Sequence, residues 1–219
     1  MKHGIEYLTS DTKRSLDVIG GTAIAVAILP AASLVGVLAS IDTHSLNPLF
    51  MQERVGKNNA SFKALKFRTI AKAAMSNASY GTFDPRATRL GQIVRQTGLD
   101  ELPQIYNVLG GSMSLVSARP MVESDIDYME FAAPHIFDEW YGYYTATKPG
   151  VAGPSQVYRH HFRNGRSRAI YQKSAELDLQ YFDNASLAKD IGILASTSLD
   201  MLRANVAVVE NIPVAPAEI

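Results

Sequence analysis

The hydrophobic pattern of the chain is most pronounced near its N-terminus. Residues 18–41 contain no charged side chain and are rich in Ala, Val, Ile and Leu, whereas residues 1–17 are polar and charged. A helix of this length would extend about 36 Å, enough to cross a hydrocarbon core of about 30 Å. The pattern therefore predicts a membrane helix. The alternatives are a signal peptide cleaved near Val37-Leu38-Ala39 and a buried helix of a soluble protein.

Pro30 lies near the middle of this apolar run. Proline removes one helical hydrogen bond and clashes with the preceding turn, and Ser33 or a neighbouring segment could satisfy the freed carbonyl. Basic side chains stand on both sides of the run: Lys13, Arg14, Arg54, Lys57, Lys63, Lys66, Arg68 and Lys72. Because positive charge favours the cytoplasmic side, we predict a re-entrant helix that bends at Pro30 and has both ends cytoplasmic. A kinked transmembrane helix is the alternative.

Shorter periodic segments follow the apolar run. Residues 49–56 and 61–69 flank a turn at Lys57-Asn58-Asn59, which predicts a β-hairpin. Helical spacing and capping residues predict helices over 86–96, 102–109, 124–141 and 187–203, and around 176–182. Ser124 and Asp127 suggest a capping box for the third of these. The predicted fold is therefore mainly α with a small β-hairpin (α+β), and its amphipathic helices could lie at the membrane interface.

These elements group into three predicted parts. Residues 1–45 form an N-terminal amphipathic segment with the re-entrant helix, residues 46–205 a catalytic domain facing the cytoplasm, and residues 206–219 a flexible tail; a flexible loop is also expected over 71–84. The 219 residues hold 21 basic and 21 acidic side chains, so net charge makes no case for nucleic acid. The absence of cysteine excludes disulfides and thiolate metal sites.

Asp100 and Glu101 are the first candidate for chemistry. Asp100 suits an N-cap and Pro103 suits a first helical turn, so both carboxylates are expected at the entrance of the helix over 102–109. The helix dipole keeps a carboxylate ionised there. An ionised pair can bind a divalent cation, or one member can attack phosphorus. A capped surface helix without chemistry is the alternative.

Basic segments accompany this pair. The helix predicted before it carries Arg86, Arg89 and Arg95, and arginine grips phosphate with two fixed donors. A Gly/Pro-rich loop over 148–157, whose backbone could approach a ligand closely, leads into a basic loop over 158–166. Near a membrane segment, this combination indicates phosphate handled beside a metal; a solvated polar face is the alternative.

Several short motifs, in order, resemble the bacterial sugar transferase family, the monotopic polyprenyl-phosphate phosphoglycosyl transferases. They are Lys13-Arg14-Ser15-Leu16-Asp17, Pro30, Gln52-Glu53-Arg54-Val55-Gly56, Lys66-Phe67-Arg68-Thr69, Leu99-Asp100-Glu101-Leu102-Pro103-Gln104, Arg119-Pro120, Lys148-Pro149-Gly150-Val151-Ala152-Gly153 and Leu177-Asp178-Leu179-Gln180-Tyr181. The resemblance covers residues 12–203. Each motif is weak alone, and their order makes the signal strong.

The resemblance implies a reaction and its partners. Such enzymes transfer a sugar-1-phosphate from a nucleotide diphosphate sugar, expected to be a UDP sugar, to undecaprenyl phosphate, which initiates exopolysaccharide, capsule or O-antigen assembly. By the match, Asp100 would be the nucleophile that carries the phospho-sugar, and both carboxylates are expected to hold Mg²⁺. The protein would lie on the cytoplasmic face of the bacterial inner membrane, in contact with its lipids and without nucleic acid. A homo-oligomer is compatible with the resemblance.

The resemblance also suggests which basic residues meet phosphate: Arg95, Arg119, Arg159, Arg166, Lys66 and Arg68. Arg95 matches the arginine expected on the lipid phosphate, and Arg119 the arginine of the Arg-Pro motif. Asn164-Gly165-Arg166 resembles the family's Asn-Gly-Arg, but extra residues precede it here, so Arg159 competes with Arg166 for that role.

Three positions depart from the family pattern. Ser112 stands where the family usually has Asp, Ser117-Ala118 where it has Gly-Pro, and Pro154 where an aromatic residue or Leu is common. These departures affect the expected sugar specificity more than the reaction. They also motivate a second hypothesis, an inactive membrane scaffold of the same fold. A metal-dependent lipid diphosphate hydrolase is the third.

Overall fold

The computed structural model describes residues 3–71, 84–159 and 167–210. Within these ranges the chain is mostly helical. The helices are α1 (His3–Thr9), α2 (Asp11–Asp42), α3 (Arg89–Gln96), α4 (Gln104–Leu109), α5 (Glu123–Ala132), α6 (Phe137–Ala146), α7 (Pro154–Arg159), α8 (Arg168–Asn184) and α9 (Leu187–Glu210). Short 3-10 turns occupy Lys57–Asn59 and Leu99–Glu101. The predicted α+β class is therefore confirmed.

The strands form two small sheets. Strands β1 (Leu49–Val55) and β2 (Ser61–Phe67) form the predicted antiparallel hairpin, with Leu49 opposite Phe67 and Val55 opposite Ser61. Strands β3 (Ser114–Val116) and β4 (Gly150–Ala152) pair in parallel, which the sequence had not predicted. Each is three residues long, too short for a pattern of period two to be recognised.

Helix α2 is long and apolar enough to cross a membrane, by its length and composition. It continues through Pro30 as helix, and Ser33 Oγ donates to the Leu29 carbonyl 2.8 Å away. One side packs on the rest of the chain, where Gly21 faces α4 and Gly36 faces Phe67. Apolar side chains on its other sides are exposed: Val18, Ile19, Val26, Leu29, Leu34, Val37, Leu38 and Ile41. The helix therefore carries an apolar surface that no described residue covers.

The main core lies between α5, α6, α8 and the short β3–β4 sheet. Its largest fully buried side chains include Trp140, Tyr144 and Phe182, and the first two rings stack with centroids 4.9 Å apart. A second, smaller cluster joins α2 to the hairpin and to α3: Val35, Ala39, Phe67 and Val94. This cluster fixes one half of the apolar helix against the elements that carry the carboxylate pair.

Three local predictions need correction. The helix predicted over 124–141 is two helices, α5 and α6, interrupted at Ala133-Pro134, because proline cannot supply a helical N–H. Helix α5 begins after Val122, so the Ser124–Asp127 capping box does not form. The helix predicted over 86–96 begins only at Arg89, where Thr88 caps it by accepting from the Gly91 amide.

The Gly/Pro-rich segment over 148–157 is not an open loop, because it forms β4 and α7. A Cβ at Gly150 would lie 2.1 Å from the Ser117 nitrogen. The glycine therefore lets two strands of this protein approach each other, rather than a ligand. The loop predicted over 71–84 and the tail predicted over 206–219 fall largely outside the described residues.

Candidate active site

A tight turn carries the carboxylate pair. Gly98, with φ of 73°, ends α3 in the left-handed region that favours glycine, and the 3-10 turn Leu99–Glu101 follows at once. Pro103 precedes the first residue of α4, and no side chain caps either the turn or the helix. The prediction that Asp100 caps the helix is therefore wrong. The Asp100 carboxylate is thus not used to cap the helix.

Glu101 is held by two cations. Lys66 Nζ, from β2, lies 2.7 Å from Glu101 Oε1, and Arg119 Nη2, from the segment after β3, lies 2.9 Å from the same oxygen. Burial opposes ionisation of Glu101, but attraction by Arg119 and Lys66 exceeds it and lowers the pKa of this carboxyl well below its usual range. Glu101 is thus ionised at neutral pH, with Oε2 outside both ion pairs.

Asp100 is placed differently although it is the adjacent residue. It is 7% exposed, and among the described residues its carboxylate accepts no hydrogen bond. Burial, joined by repulsion from Glu101, raises the pKa of Asp100, while Lys66, Arg95 and Arg119 oppose the rise. A buried carboxylate without hydrogen bonds keeps its lone pairs available, and bound positive charge would favour its ionised form.

The basic residues predicted to meet phosphate divide into two groups. Lys66 and Arg119 contact Glu101, and Arg95 lies in the last turn of α3, with Nη1 3.4 Å from Thr69 Oγ1. Arg68 instead donates to the carbonyl oxygens of Asn47 and Leu49, which lie before and at the start of β1.

The other two candidates cannot be placed in this way. Arg166 lies outside the described residues, and for Arg159 the structure describes the backbone, which ends α7. The structure therefore brings Lys66, Arg95 and Arg119 to the carboxylate pair. It leaves the choice between Arg159 and Arg166 as a prediction.

Arg54 is a residue of the site to which the sequence assigned no role. It lies on β1 and is 8% exposed, and its charge contributes to the lowered pKa of Glu101. In the hairpin register Arg54 lies opposite Phe62, and Lys66 lies opposite Phe50. Along each strand the two positions are four residues apart. Since alternate residues of a strand share a face, the predicted hairpin could have revealed that Arg54 lies on the same face as Lys66.

An apolar groove opens beside the pair. Its volume is about 450 Å³, and it lies between α2, the segment before β1, and the residues directly after Glu101. Its lining includes Ile28, Gly36, Phe67, Leu102 and Tyr106. A charged site and an apolar groove are thus neighbours, which suits a ligand with a charged head and an apolar chain.

The described residues contain no group of three or more His, Asp or Glu side chains that could enclose a metal ion. Mg²⁺ commonly uses only one or two carboxylates and takes its remaining ligands from water and substrate phosphates. The Asp100 carboxylate, which accepts no hydrogen bond from the part of the chain that the structure describes, and the Oε2 atom of Glu101 fit that arrangement. The donor set therefore suits a magnesium ion bound together with a phosphate substrate.

Residues 8–204 match the family model for "Bacterial sugar transferase". The chain is 34% identical to a UDP-galactose-lipid carrier transferase of Erwinia amylovora over 90% of this chain and 40% of that protein. It is 32% identical to the exopolysaccharide production protein ExoY of Sinorhizobium fredii, over 85% and 83% respectively. It is 35% identical to a UDP-glucose:undecaprenyl-phosphate glucose-1-phosphate transferase of Caulobacter vibrioides, over 87% and 69%. The chain thus spans about two fifths of the first relative and most of the other two.

Proposed function

Since the chain belongs to the bacterial sugar transferase family, we propose that it transfers a sugar-1-phosphate from a nucleotide diphosphate sugar to undecaprenyl phosphate. The relatives named for a UDP-sugar and for undecaprenyl phosphate support the donor and the acceptor. The relative named for exopolysaccharide production supports a role at the start of polysaccharide assembly. We place the reaction at the cytoplasmic face of the bacterial inner membrane, where nucleotide sugars are made.

One observation carries this proposal. In a residue only 7% exposed, Asp100 presents a carboxylate that accepts no hydrogen bond from the described residues, beside a second carboxylate that two cations hold in place. In a purely structural acidic pair both carboxylates would have partners from the protein, because a desolvated carboxylate destabilises the fold unless it is paired. The arrangement therefore suits a nucleophile that meets a phosphate-bearing substrate.

The chemistry divides into two displacements. In the first, an Asp100 carboxylate oxygen attacks the phosphorus that carries the sugar, and the bond from that phosphorus to the nucleoside monophosphate breaks. In the second, a phosphate oxygen of the lipid attacks the same phosphorus, and the bond to Asp100 breaks. The products are the lipid diphosphate sugar and a nucleoside monophosphate, and the carboxylate of Asp100 is regenerated.

The cations around the pair oppose the repulsion between anions. Lys66 and Arg119 lie within hydrogen-bond distance of Glu101, and Arg95 lies close enough to oppose the rise in the pKa of Asp100. Each could neutralise a phosphate oxygen as negative charge approaches the carboxylate. Asp100 and Glu101 would hold Mg²⁺, which supplies further charge neutralisation on the diphosphate when bound.

Contacts at both ends of α2 support the re-entrant course. Near its start, Lys13 pairs with Asp190 at 2.8 Å, and Arg14 donates to the Val108 carbonyl at 2.6 Å. At its end, Asp42 accepts a hydrogen bond from Thr88. Both ends therefore contact the domain that carries the Asp100–Glu101 pair (the dyad), whereas a straight span would hold them on opposite sides of the bilayer.

The chain has no cysteine, so single-cysteine labelling can test this course. We expect His3→Cys and Ser45→Cys to be protected from a membrane-impermeant maleimide in intact cells and to react after lysis. Labelling of either variant in intact cells would exclude the re-entrant course and favour a straight span.

The reaction itself is tested with purified protein in nanodiscs, Mg²⁺, undecaprenyl phosphate and a panel of nucleotide sugars. We expect one donor to release nucleoside monophosphate and label the lipid. Without acceptor, the same donor should add the mass of one phospho-sugar to the intact protein but not to the Asp100→Asn variant. Release of monophosphate without any protein adduct would contradict the covalent step, and lack of release with every donor would contradict the activity.

A further inference from the structure

Arg54 is an unusual buried cation. Its Nη1 donates to the Pro120 carbonyl at 2.9 Å and its Nη2 to Gln52 Oε1 at 2.5 Å, while its buried Nε has no hydrogen-bond acceptor. No carboxylate pairs with it directly in the part of the chain that the structure describes. Burial and repulsion from Arg119 lower the pKa of Arg54 to about 10. Burying an arginine without a carboxylate partner destabilises the fold. The position of Arg54 is therefore expected to serve a purpose other than stability.

One of the two hydrogen bonds of Arg54 falls on the segment that carries Arg119. The Pro120 carbonyl belongs to the peptide directly after Arg119, and it receives a guanidinium donor. The next residue is fixed twice: the Val55 amide donates to the Met121 carbonyl at 2.9 Å, and the Met121 amide donates to Tyr144 Oη at 3.0 Å. Strand β1 and α6 thus hold residues 120–121 from two sides.

The backbone is held on both sides of Arg119. Before it, the Gly150 amide donates to the Ala118 carbonyl at 2.7 Å, and after it Arg54 binds the Pro120 carbonyl. The Arg119 guanidinium reaches Glu101 from an extended segment after β3, whereas Lys66 reaches the same oxygen from a paired strand. An arginine on such a segment can turn away from the dyad if the backbone beside it shifts. Among the side-chain hydrogen bonds to this segment, the one from Arg54 to the Pro120 carbonyl lies nearest to Arg119 in the sequence.

We propose that Arg54 is a positioning residue: it fixes the Arg119–Met121 segment against β1, so that Arg119 points at the carboxylate pair. Arg54 itself need not touch the substrate, because its donors are directed at protein oxygens. This inference rests on the proposed function for the role of Arg119. The attachment of the segment can be tested separately from that function.

The kinetic test is a double-mutant cycle between Arg54→Gln and Arg119→Gln. We expect Arg54→Gln to lower kcat/KM about 10–100-fold, as is typical when a group that orients a catalytic side chain is removed. If Arg54 acts through Arg119, the double variant should be no slower than Arg119→Gln alone. Arg54→Lys keeps the positive charge but replaces the planar guanidinium by a single ammonium group, so it should recover part of the loss. Losses that multiply in the double variant would overturn the proposal.

The second measurement is hydrogen exchange, which needs no activity. In Arg54→Gln, the amides of Arg119, Met121 and Val122 should exchange faster, while those of α6 and α8 keep their wild-type rates. Faster exchange throughout the core would indicate general destabilisation and would contradict a positioning role. Because exchange is read without substrate, an inactive wild-type protein would refute the proposed function and leave this test intact.

Two further variants serve as a matched control and as a substitute for Arg54→Gln. Arg168→Gln is the matched control, since Arg168 also donates to a backbone carbonyl, that of Ala132, from α8; its kcat/KM and its exchange at 119–122 should match the wild type. If Arg54→Gln does not fold, Gln52→Ala removes the acceptor of Arg54 Nη2 and leaves the charge in place. It should show the same non-additivity with Arg119→Gln, and wild-type exchange at 119–122 would then refute the proposal.

Discussion

Two buried clusters of charged side chains among the described residues differ in how completely the protein satisfies them. The anchor cluster joins the start of α2 to α9: Lys13, Asp17, Asp190, Tyr7 and Tyr181. The dyad cluster joins the turn before α4 to the hairpin and α3: Asp100, Glu101, Lys66, Arg54, Arg95 and Arg119. Both lie next to α2, so proximity to the apolar helix does not explain the difference.

In the anchor cluster each carboxylate has partners from the protein. Lys13 Nζ lies 2.9 Å from Asp17 and 2.8 Å from Asp190. Asp190 also accepts from the hydroxyls of Tyr7 and Tyr181, at 2.9 and 2.6 Å, and Asp17 accepts from the Leu115 amide at 3.1 Å. Burial and Asp190 raise the pKa of both tyrosines, so they remain neutral donors. Each carboxylate of this cluster thus has a cation and a hydrogen-bond donor among the described residues, as a structural role requires.

In the dyad cluster the protein satisfies the carboxylates less completely. Four cations surround two carboxylates, and one of these, Asp100, accepts no hydrogen bond from the described residues. The excess positive charge and the carboxylate without hydrogen bonds suit a substrate that brings phosphate and a metal. If the dyad cluster acts as proposed, buried charge alone does not mark a reactive site. An incomplete set of partners is the more informative feature.

The largest expected effect separates the two clusters by activity. Asp100→Asn should lower lipid labelling at least about a thousandfold, because it removes the proposed nucleophile and keeps the shape of the side chain. The measurement is transfer of labelled sugar phosphate to undecaprenyl phosphate in nanodiscs. Full activity in this variant would remove the functional distinction between the clusters.

The next effect separates them by stability. Lys13→Met leaves two buried carboxylates without their shared cation and should cost about 3–5 kcal/mol of unfolding free energy. Thermal unfolding in detergent measures this loss. The matched control is Lys189→Met, an exposed lysine that directly precedes Asp190 and should unfold at the wild-type temperature. Equal melting of both variants would show that the anchor cluster does not stabilise the fold.

The sequence predicted the parts of this comparison that depend on local pattern. The charge-free run predicted α2, and the turn residues Lys57-Asn58-Asn59 predicted the hairpin. Local pattern also misled, since Ser124 and Asp127 resembled a capping box although α5 begins directly after Val122, so that Ser124 lies inside the helix instead of capping it. Strong periodicity and turn chemistry therefore carried more information than single capping residues.

The partners within each cluster could not be predicted in that way. Glu101 meets Lys66 from 35 residues earlier and Arg119 from 18 residues later, and Lys13 meets Asp190 across most of the chain. Such pairs form only when helices and strands pack, and no periodicity records them. The resemblance to a family named the dyad and Arg119, but it assigned no role to Arg54 and none to Asp190.

A third prediction compares the two cations that share one oxygen. Arg119→Gln should lower kcat/KM about a hundredfold or more, as expected when a donor to a developing anion is lost. Lys66→Gln should have a smaller effect, since Arg119 still holds Glu101. Steady-state rates at several donor concentrations measure both. A larger loss in Lys66→Gln would show that the hairpin lysine, rather than Arg119, meets the substrate.

The smallest effect returns to Asp100 and concerns stability instead of rate. Its pKa is raised in the folded protein, so the folded state binds a proton more readily than the unfolded chain, and ionisation at neutral pH lowers the free energy of unfolding. Without Mg²⁺, Asp100→Asn should therefore raise the melting temperature at pH 7.5, by roughly 2–4 °C for each kcal/mol of relieved cost. The gain should shrink as the pH falls through the raised pKa and vanish below the ordinary value. A gain independent of pH would show that the amide stabilises through new hydrogen bonds, and a decrease would place Asp100 with the satisfied carboxylates of the anchor cluster.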